Sequence, residues 1–104
     1  EIGKIEVILI PESADNDLVV AFFRDVTDKS GSLTLTCYGK AWTAYWGSHG
    51  CVNVKEFVDR SGVDYLMDKL QINQHTVLKQ YRKIQERTLS RAVMALKKHI
   101  KENQ

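Results

Sequence analysis

The sequence predicts an α+β domain in which an antiparallel meander of three to four strands precedes two short helices and one long C-terminal amphipathic helix. Short alternating runs rich in strand-forming residues occupy residues 1–46. Helix start signals follow within residues 53–70. Residues 73–102 contain no Pro or Gly and repeat their apolar residues with the period of a helix. The chain of 104 residues has the length of a single domain, residues 1–104.

Four runs in the N-terminal part have the composition and alternation of strands. Polar residues connect them, and no connection is long enough for a parallel crossover, which favours antiparallel neighbours. Tyr38-Gly39 predicts a tight hairpin turn in which Gly39 takes the left-handed conformation. The predicted strands are residues 5–10, 18–25, 33–37 and 41–46.

The alternation also assigns side chains to faces, since neighbouring residues of a strand point to opposite sides. In the first strand, Ile5, Val7 and Leu9 share one face, and Pro11 ends the run. In the last strand, the shared face carries Trp42, Ala44 and Trp46.

The first short helix has a start signal in the pair Asn53 and Glu56. This is a capping-box pattern, in which the Asn53 side chain accepts from the Glu56 amide while the carboxylate reaches back. Val52 and Phe57 occupy the hydrophobic-staple positions on either side of the cap. Gly62 is suited to terminate this helix.

Two further helices are predicted after it. Ser61 with Asp64 marks the start of a second short helix that extends through Leu70. Asn73 marks the start of the long helix, residues 73–102. Its apolar arc, at 100° per residue, contains Val77, Leu78, Tyr81, Ile84, Leu89, Ala92, Val93, Leu96 and Ile100.

The length of this helix predicts self-association. At 1.5 Å per residue it spans roughly 43 Å, whereas a compact body formed by the preceding residues has a diameter of about 28 Å. One body cannot cover the whole apolar stripe, so the helix overhangs or a partner covers the rest. A second copy is the simplest partner, because two-fold dimers are the commonest oligomers. The residues proposed for this contact are Leu89, Val93, Leu96 and Ile100.

Charge is distributed unevenly along the chain, although the net charge is only +2. Residues 1–72 hold seven Lys and Arg against eleven Asp and Glu, and residues 73–104 hold eight against two. Such an asymmetry is typical of an interacting arm. The cations form a basic face on the long helix that suits an acidic protein surface or the phosphates of a nucleic acid, or is simply solvated. The predicted basic-face residues are Lys79, Lys83, Arg87, Arg91 and Lys98.

The loop between the last strand and the first helix is a candidate anion-binding site. Gly47, Ser48, His49 and Gly50 could direct backbone N–H groups at an anion near the helix N-terminus. His49 with Cys51 could act as base and nucleophile. The ordinary alternative is a glycine-permitted turn that lets Trp46 pack, and turn glycines favour that alternative.

Other features argue against catalysis, metals and membranes. Cys37 and Cys51 form no CxxC pair and are expected to be free thiols in a reducing compartment. No spacing of His, Cys and Asp matches a zinc site. No apolar run reaches the roughly 18 residues that cross a bilayer, and no signal peptide is apparent. We therefore expect a cytoplasmic protein that is not an enzyme and has no cofactor, no metal and no membrane contact.

Three segments resemble small uncharacterised phage and prophage proteins of enteric bacteria. The first runs from Gly39 to Gly47 (GKAWTAYWG), the second is Glu56-Phe57, and the third runs from Asp64 to Leu70 (DYLMDKL). The resemblance covers roughly residues 33–100 and departs from the pattern at His49, where a more hydrophobic residue is expected. It implies a phage accessory protein made in a bacterial host cytoplasm and brings no catalytic residue or substrate.

Together these features predict a non-enzymatic interaction protein that engages a host macromolecule, such as a host protein, as a homodimer. The alternative is a nucleic-acid-binding protein that uses the basic face of the long helix. Salt separates the two, because binding to phosphates weakens steeply as the salt concentration rises.

Overall fold

The computed structural model describes residues 3–14, 16–71 and 79–103. Within them, four strands form an antiparallel sheet in the order β1-β2-β3-β4, and helices follow in the chain. The predicted α+β meander is thereby confirmed. The strands are β1 (Ile5–Ile10), β2 (Val19–Asp25), β3 (Gly31–Cys37) and β4 (Lys40–Trp46). The helices are α1 (Val54–Arg60), α2 (Val63–Gln71) and α3 (Lys79–Glu102).

The β3–β4 hairpin turns through two residues in the left-handed region. Gly39 has φ 84°, as predicted, and Tyr38 precedes it with φ 48°. Positive φ at both central positions is the signature of the turn whose twist matches that of the flanking strands. This turn sets the register, so that Leu35 lies opposite Trp42 and Leu33 opposite Ala44.

The core lies between one face of the sheet and the helices. Trp42, Ala44 and Trp46 all point into it and are at most 5% exposed, which confirms their shared face. Helix α3 contributes its inner side, and α1 and α2 fill the remaining space. The fully buried side chains are Phe23, Leu33, Leu35, Leu66, Leu70, Leu89, Leu96, Val19, Val54, Val58 and Val93.

Strand β1 turns its regular apolar face away from this core. Ile8 and Ile10 are buried, whereas Ile5, Val7 and Leu9 are 56–60% exposed. The register explains the outcome, because Val7 lies opposite Phe22, which also faces outward. A strand has two faces, and a shift of one residue would exchange them.

The capping prediction for α1 is confirmed at its central contact. The Asn53 side chain accepts from the Glu56 amide at 2.8 Å. The Glu56 carboxylate reaches back to the amide of Val52 at 3.3 Å. The staple prediction is wrong, because Val52 is 80% exposed and Phe57 packs against the aromatic ring of Trp46 instead.

The junction between α1 and α2 also differs from the prediction. Ser61, not Gly62, caps the end of α1, since its backbone N–H and its hydroxyl both donate to the carbonyl of Phe57. The Ser61 hydroxyl is therefore committed to α1 and does not cap α2. Gly62 instead supplies the carbonyl that accepts from Leu66 in the first turn of α2.

Helix α3 is described from Lys79 to Glu102, and the predicted start at Asn73 lies outside the described residues. The C-terminal part of its apolar arc is buried, as predicted. Ile84, assigned to the same arc, is 60% exposed. Ile84 lies at the edge of the arc, about 20° from Arg91 at 100° per residue, so it faces solvent beside the basic face.

Candidate functional site

The basic face of α3 is the exposed side of a helix whose other side is anchored in the core. Lys83, Arg87, Arg91 and Lys98 are all exposed. At 100° per residue, these four side chains lie within an arc of about 80°, and they extend along roughly 22 Å of helix. The side chain of Lys79 lies outside the described residues. The core holds the helix backbone between Leu89 and Ile100, and the cations project from that helix into solvent.

Little of this positive charge is neutralised within the described part of the chain. The ion pair seen there joins Lys98 to Glu102 at 3.9 Å, and both side chains are mostly exposed. Exposed pairs of this kind contribute at most about 1 kcal/mol. Lys83, Arg87 and Arg91 make no ion pair with a described residue.

An apolar side chain lies in the middle of the basic face. Met94 is 57% exposed and occupies the same arc as the cations. With Ala95, Arg91 and Lys98 it lines a groove of about 170 Å³ between α3 and the loop that carries Ser13 and Asn16. The groove thus offers a small apolar floor with a cation on either side.

Lys97, in contrast, is part of the structural framework. Its Nζ donates to the carbonyls of Asp59, at 2.8 Å, and of Ser61, both at the end of α1. A cation at this end of a helix also interacts favourably with the helix dipole. Burial lowers the pKa of Lys97 from its ordinary value, because the charged form loses solvation. Lys97 holds α3 against α1 and is not available to a partner.

The predicted anion-binding loop is closed by the chain's own groups. The backbone N–H of Val54, at the start of α1, donates to a carboxylate oxygen of Asp25 at 2.8 Å. Gly50 has φ 71°, which a turn requires, and Gly47 and Ser48 are exposed. The loop therefore packs as a turn whose nearest helix amide is already bonded to a carboxylate.

His49 is buried within that loop. Its backbone N–H donates to the Lys29 carbonyl at 2.9 Å, and its Nδ1 accepts from the backbone N–H of Cys51 at 3.1 Å. A nitrogen that accepts carries no proton, so the neutral ring holds its proton on Nε2. Nε2 is buried without a hydrogen-bond partner among the described residues. His49 thus binds the backbone of Cys51, which is a turn-forming contact.

An aromatic cluster surrounds this histidine. Phe57 lies at its centre, with ring centroids 5.2 Å from Trp46, 5.7 Å from His49 and 6.3 Å from Tyr65. The indole N–H of Trp46 donates to the Tyr65 hydroxyl at 3.0 Å. The cluster joins β4 to α1 and α2, and the imidazole ring of His49 packs against Phe57 within it.

The residues proposed for self-association lie in the core of the single chain. Leu89, Val93, Leu96 and Ile100 are at most 3% exposed. They pack with the sheet and the short helices. A contact between two copies would have to use other side chains.

The outer face of the sheet is a second surface, which reasoning from the sequence did not single out. We call it the open sheet face. On it, Phe22 is 38% exposed and Tyr45 56% exposed, beside the three exposed residues of β1. A groove of about 340 Å³ crosses it. The face consists of Ile5, Val7, Leu9, Val20, Phe22, Arg24, Ser32, Thr34, Thr36, Ala41, Thr43 and Tyr45.

Cys37 and Cys51 are free, as expected; Cys37 is buried and Cys51 is half-buried. Within residues 3–14, 16–71 and 79–103, no three His, Cys, Asp or Glu residues are grouped to hold a metal ion. Across the same residues, no helix has the length and apolarity to span a membrane.

Comparison with known proteins gives the family. No curated protein and no solved structure matches the chain. A family model, described as a phage family, matches residues 1–104. The predicted link to phage proteins is therefore confirmed, and the chain belongs to the phage family Phage_phiTE_072.

Proposed function

We propose that this phage-family protein is a non-enzymatic interaction protein, an accessory factor that binds a host macromolecule in the bacterial cytoplasm and acts as a homodimer. The observation that carries the proposal is the basic face of α3. Four exposed cations, Lys83, Arg87, Arg91 and Lys98, lie on one side of a helix that the core holds on its other side. A fixed array of like charges attracts a complementary acidic surface and steers its approach.

The structure of the basic face favours an acidic protein as the partner. Met94 places an apolar contact among the cations, and methionine adapts well to varied protein surfaces. The groove beside it accommodates a small apolar side chain, with Arg91 and Lys98 positioned for carboxylates on both sides. A partner segment with an apolar residue flanked by Asp or Glu would satisfy both features.

Nucleic-acid binding is the second candidate. It is supported by the spacing of Lys83, Arg87 and Arg91, each four residues from the next, which forms a continuous positive stripe. The exposed apolar side chain of Met94 would make no favourable contact with a phosphate backbone. For that reason we rank nucleic acid below an acidic protein.

The test is capture from a bacterial host lysate with two charge-reversed variants of equal net charge. In the first, Lys83, Arg87 and Arg91 are each changed to Glu, which reverses the basic face. In the second, the control, Lys4, Lys29 and Lys40 are each changed to Glu; all three are exposed and lie outside α3. Each capture is made with and without nuclease, and at low and high salt.

We expect the wild type and the control variant to capture a discrete protein, and the basic-face variant to lose it. This capture should survive nuclease treatment. A signal that nuclease abolishes, with a steep loss at high salt, would replace the leading candidate by nucleic acid. Equal capture by both variants would contradict any role for the basic face.

A further inference from the structure

We infer that the open sheet face is the surface through which two copies of this chain associate. The inference rests on the homodimer of the proposed function and names its contact. The exposure, charge, symmetry and area of that face support it, and none of these depends on the basic face of α3.

The β1 side of the open sheet face is unusually apolar for a surface. Ile5, Val7 and Leu9 are 60%, 56% and 58% exposed, and they form the uninterrupted apolar face of their strand. Phe22 adjoins Val7 on the neighbouring strand. Contiguous apolar patches larger than a few hundred Å² are rare on monomeric proteins and mark interaction sites.

The inner face of the same strand is less regular. Glu6 interrupts it and forms an ion pair with Lys55 of α1 at 2.9 Å. Strand β1 thus directs its more regular apolar face toward solvent. A single chain that had only one face to cover would gain by the opposite arrangement, since burial of apolar side chains drives folding.

The charge on the open sheet face points to an uncharged occupant. Among the described residues of this face, Arg24 is the single charged side chain. The β3 and β4 side carries hydroxyls instead, and the Oγ atoms of Thr34 and Thr43 lie 3.1 Å apart. A nucleic acid or an acidic protein would find one cation here. A surface of apolar and hydroxyl groups, such as this face itself, matches it.

A two-fold axis fits the arrangement of side chains. Let the axis lie between two facing sheets, perpendicular to the strands, along the row of Val7, Phe22, Thr34 and Thr43. The apolar β1 side then meets its own copy. The two Arg24 side chains lie at opposite ends of the contact, about 14 Å apart, which is beyond the Debye length at physiological salt.

The same operation places the largest side chain of β4 on this face over the smallest. Tyr45 lies in the row of Arg24, and Ala41 lies in the row of Leu9, on the other side of the axis. Rotation places Tyr45 of one copy over Ala41 of the other, and Ile5 over Leu9. Facing sheets in a sandwich interdigitate in this way.

The area available is sufficient for a modest dimer. Four strands of about seven residues give a footprint of about 450 Å² per copy at standard strand spacings. Protruding side chains raise the accessible surface buried by two copies to about 1,000 Å², near the lower limit of specific interfaces. We therefore expect a dissociation constant in the micromolar range.

The test is molar mass by light scattering over a series from about 1 to 300 μM, a range that brackets such a dissociation constant. The wild type is compared with Val7→Lys and with Met94→Lys as the matched control. Val7 and Met94 are 56% and 57% exposed, so each change adds one lysine at equal exposure. Val7→Thr is included because it conserves shape and strand propensity while it adds a hydroxyl.

The wild type and Met94→Lys should pass from the 11.9 kDa of one chain to twice that mass as concentration rises. Val7→Lys should weaken the dimer at least about 100-fold, because the change occurs once in each copy and opposes like charges. Val7→Thr, once circular dichroism shows that it is folded, should weaken the dimer by about tenfold or less.

Two results would overturn the inference. One is a single-chain mass at every concentration; host capture through an intact basic face would then leave the rest of the proposed function standing. The other is a dimer whose dissociation constant is the same in Val7→Lys, Val7→Thr and Met94→Lys. That result would place the contact elsewhere.

Discussion

Both faces of the sheet carry large apolar side chains, but the helices cover only the inner face. On the inner face, Leu33 and Leu35 are 0% exposed and Trp46 is 5% exposed. On the outer face, Leu9 is 58% exposed and Tyr45 56% exposed. The two faces share the same backbone and the same hydrogen bonds. The difference therefore comes from what packs on each face, and strand propensity plays no part in it.

The comparison separates the forces that fold the chain from those that position a partner. The inner face is tied to the helices by specific polar contacts as well as by burial. Lys97 bonds the end of α1, and Asp25 bonds its start at the Val54 amide. On the open sheet face, the side-chain hydrogen bonds of Thr34 to Thr43 and of Thr36 to the Val20 carbonyl stay within the sheet. The inner face should thus dominate the stability of the single chain, and the outer face should dominate its association.

The largest expected difference is between matched leucine truncations on the two faces. Leu35→Ala should lower the free energy of unfolding by about 3–5 kcal/mol, since the side chain is fully buried. Leu9→Ala should lower it by less than about 1 kcal/mol for the single chain, because most of that side chain already contacts water. Urea denaturation at the lowest workable concentration measures both. Equal losses would contradict the distinction between the faces.

A smaller effect is expected where the inner face contacts α1 most closely. A Cβ at Gly31 would lie 2.6 Å from the carbonyl oxygen of Arg24 and 3.0 Å from Cβ of Val54. Gly31→Ala should therefore cost about 1–3 kcal/mol, because the β2 backbone at Arg24 and the Val54 side chain must both shift. Gly62→Ala is the control, since no atom lies within 4 Å of its Cβ position. The idea fails if thermal unfolding shows the two variants equally stable.

The cap of α1 should contribute less again. Asn53→Ala removes the acceptor for the Glu56 amide and should cost about 1 kcal/mol. Asn53→Ser retains a side-chain oxygen and should recover most of that loss. Denaturation midpoints of the three proteins test this, and a serine variant as unstable as the alanine variant would count against the capping role.

The smallest effect concerns the buried thiol of the inner face. Burial raises the pKa of Cys37 above its ordinary value of 9.0, because the thiolate would lose solvation. Above pH 9.0 the unfolded chain releases this proton while the folded chain retains it. The free energy of unfolding should consequently fall as the pH rises through this range, and it should be unaffected by Cys37 at lower pH.

Cys37→Val tests this by removing the ionisable group. The loss of stability between about pH 8 and pH 10 should be smaller in this variant than in the wild type. Cys51→Ala keeps the buried thiol and serves as the control. Tyr38 and Lys97 are present in all three proteins, so their contributions cancel. If the free energy of unfolding depends on pH in the same way in Cys37→Val and in the wild type, the Cys37 thiol does not contribute to that dependence.

Much of the fold was predictable because its signals are local. The alternation of β3, the Tyr38-Gly39 turn and the cap at Asn53 each depend on a few neighbouring residues, and the structure has all of them. The wrong details share a different cause. The staple at Val52 and the helix terminator at Gly62 are predicted from sequence position alone. In the structure, Phe57 packs against Trp46 of β4, and Ser61 donates to carbonyls of α1.

The candidate surfaces were less predictable. The exposed cations of α3 follow from helical periodicity, so Lys83, Arg87 and Arg91 could be located from the sequence. Lys97 lies on the same helix but donates to carbonyls at the end of α1, and this contact depends on tertiary packing. The open sheet face was missed because alternation shows that Ile5, Val7 and Leu9 share a face but not whether a helix covers it.

The most direct test of the account is an isotope-filtered NOE experiment on a sample that mixes ¹³C-labelled and unlabelled chains. Such a spectrum reports only contacts between protons of different copies. If two copies associate through the open sheet face, intermolecular contacts should arise from the methyl groups of Ile5, Val7 and Leu9. Intermolecular contacts from the methyls of α3, with none from β1, would contradict it.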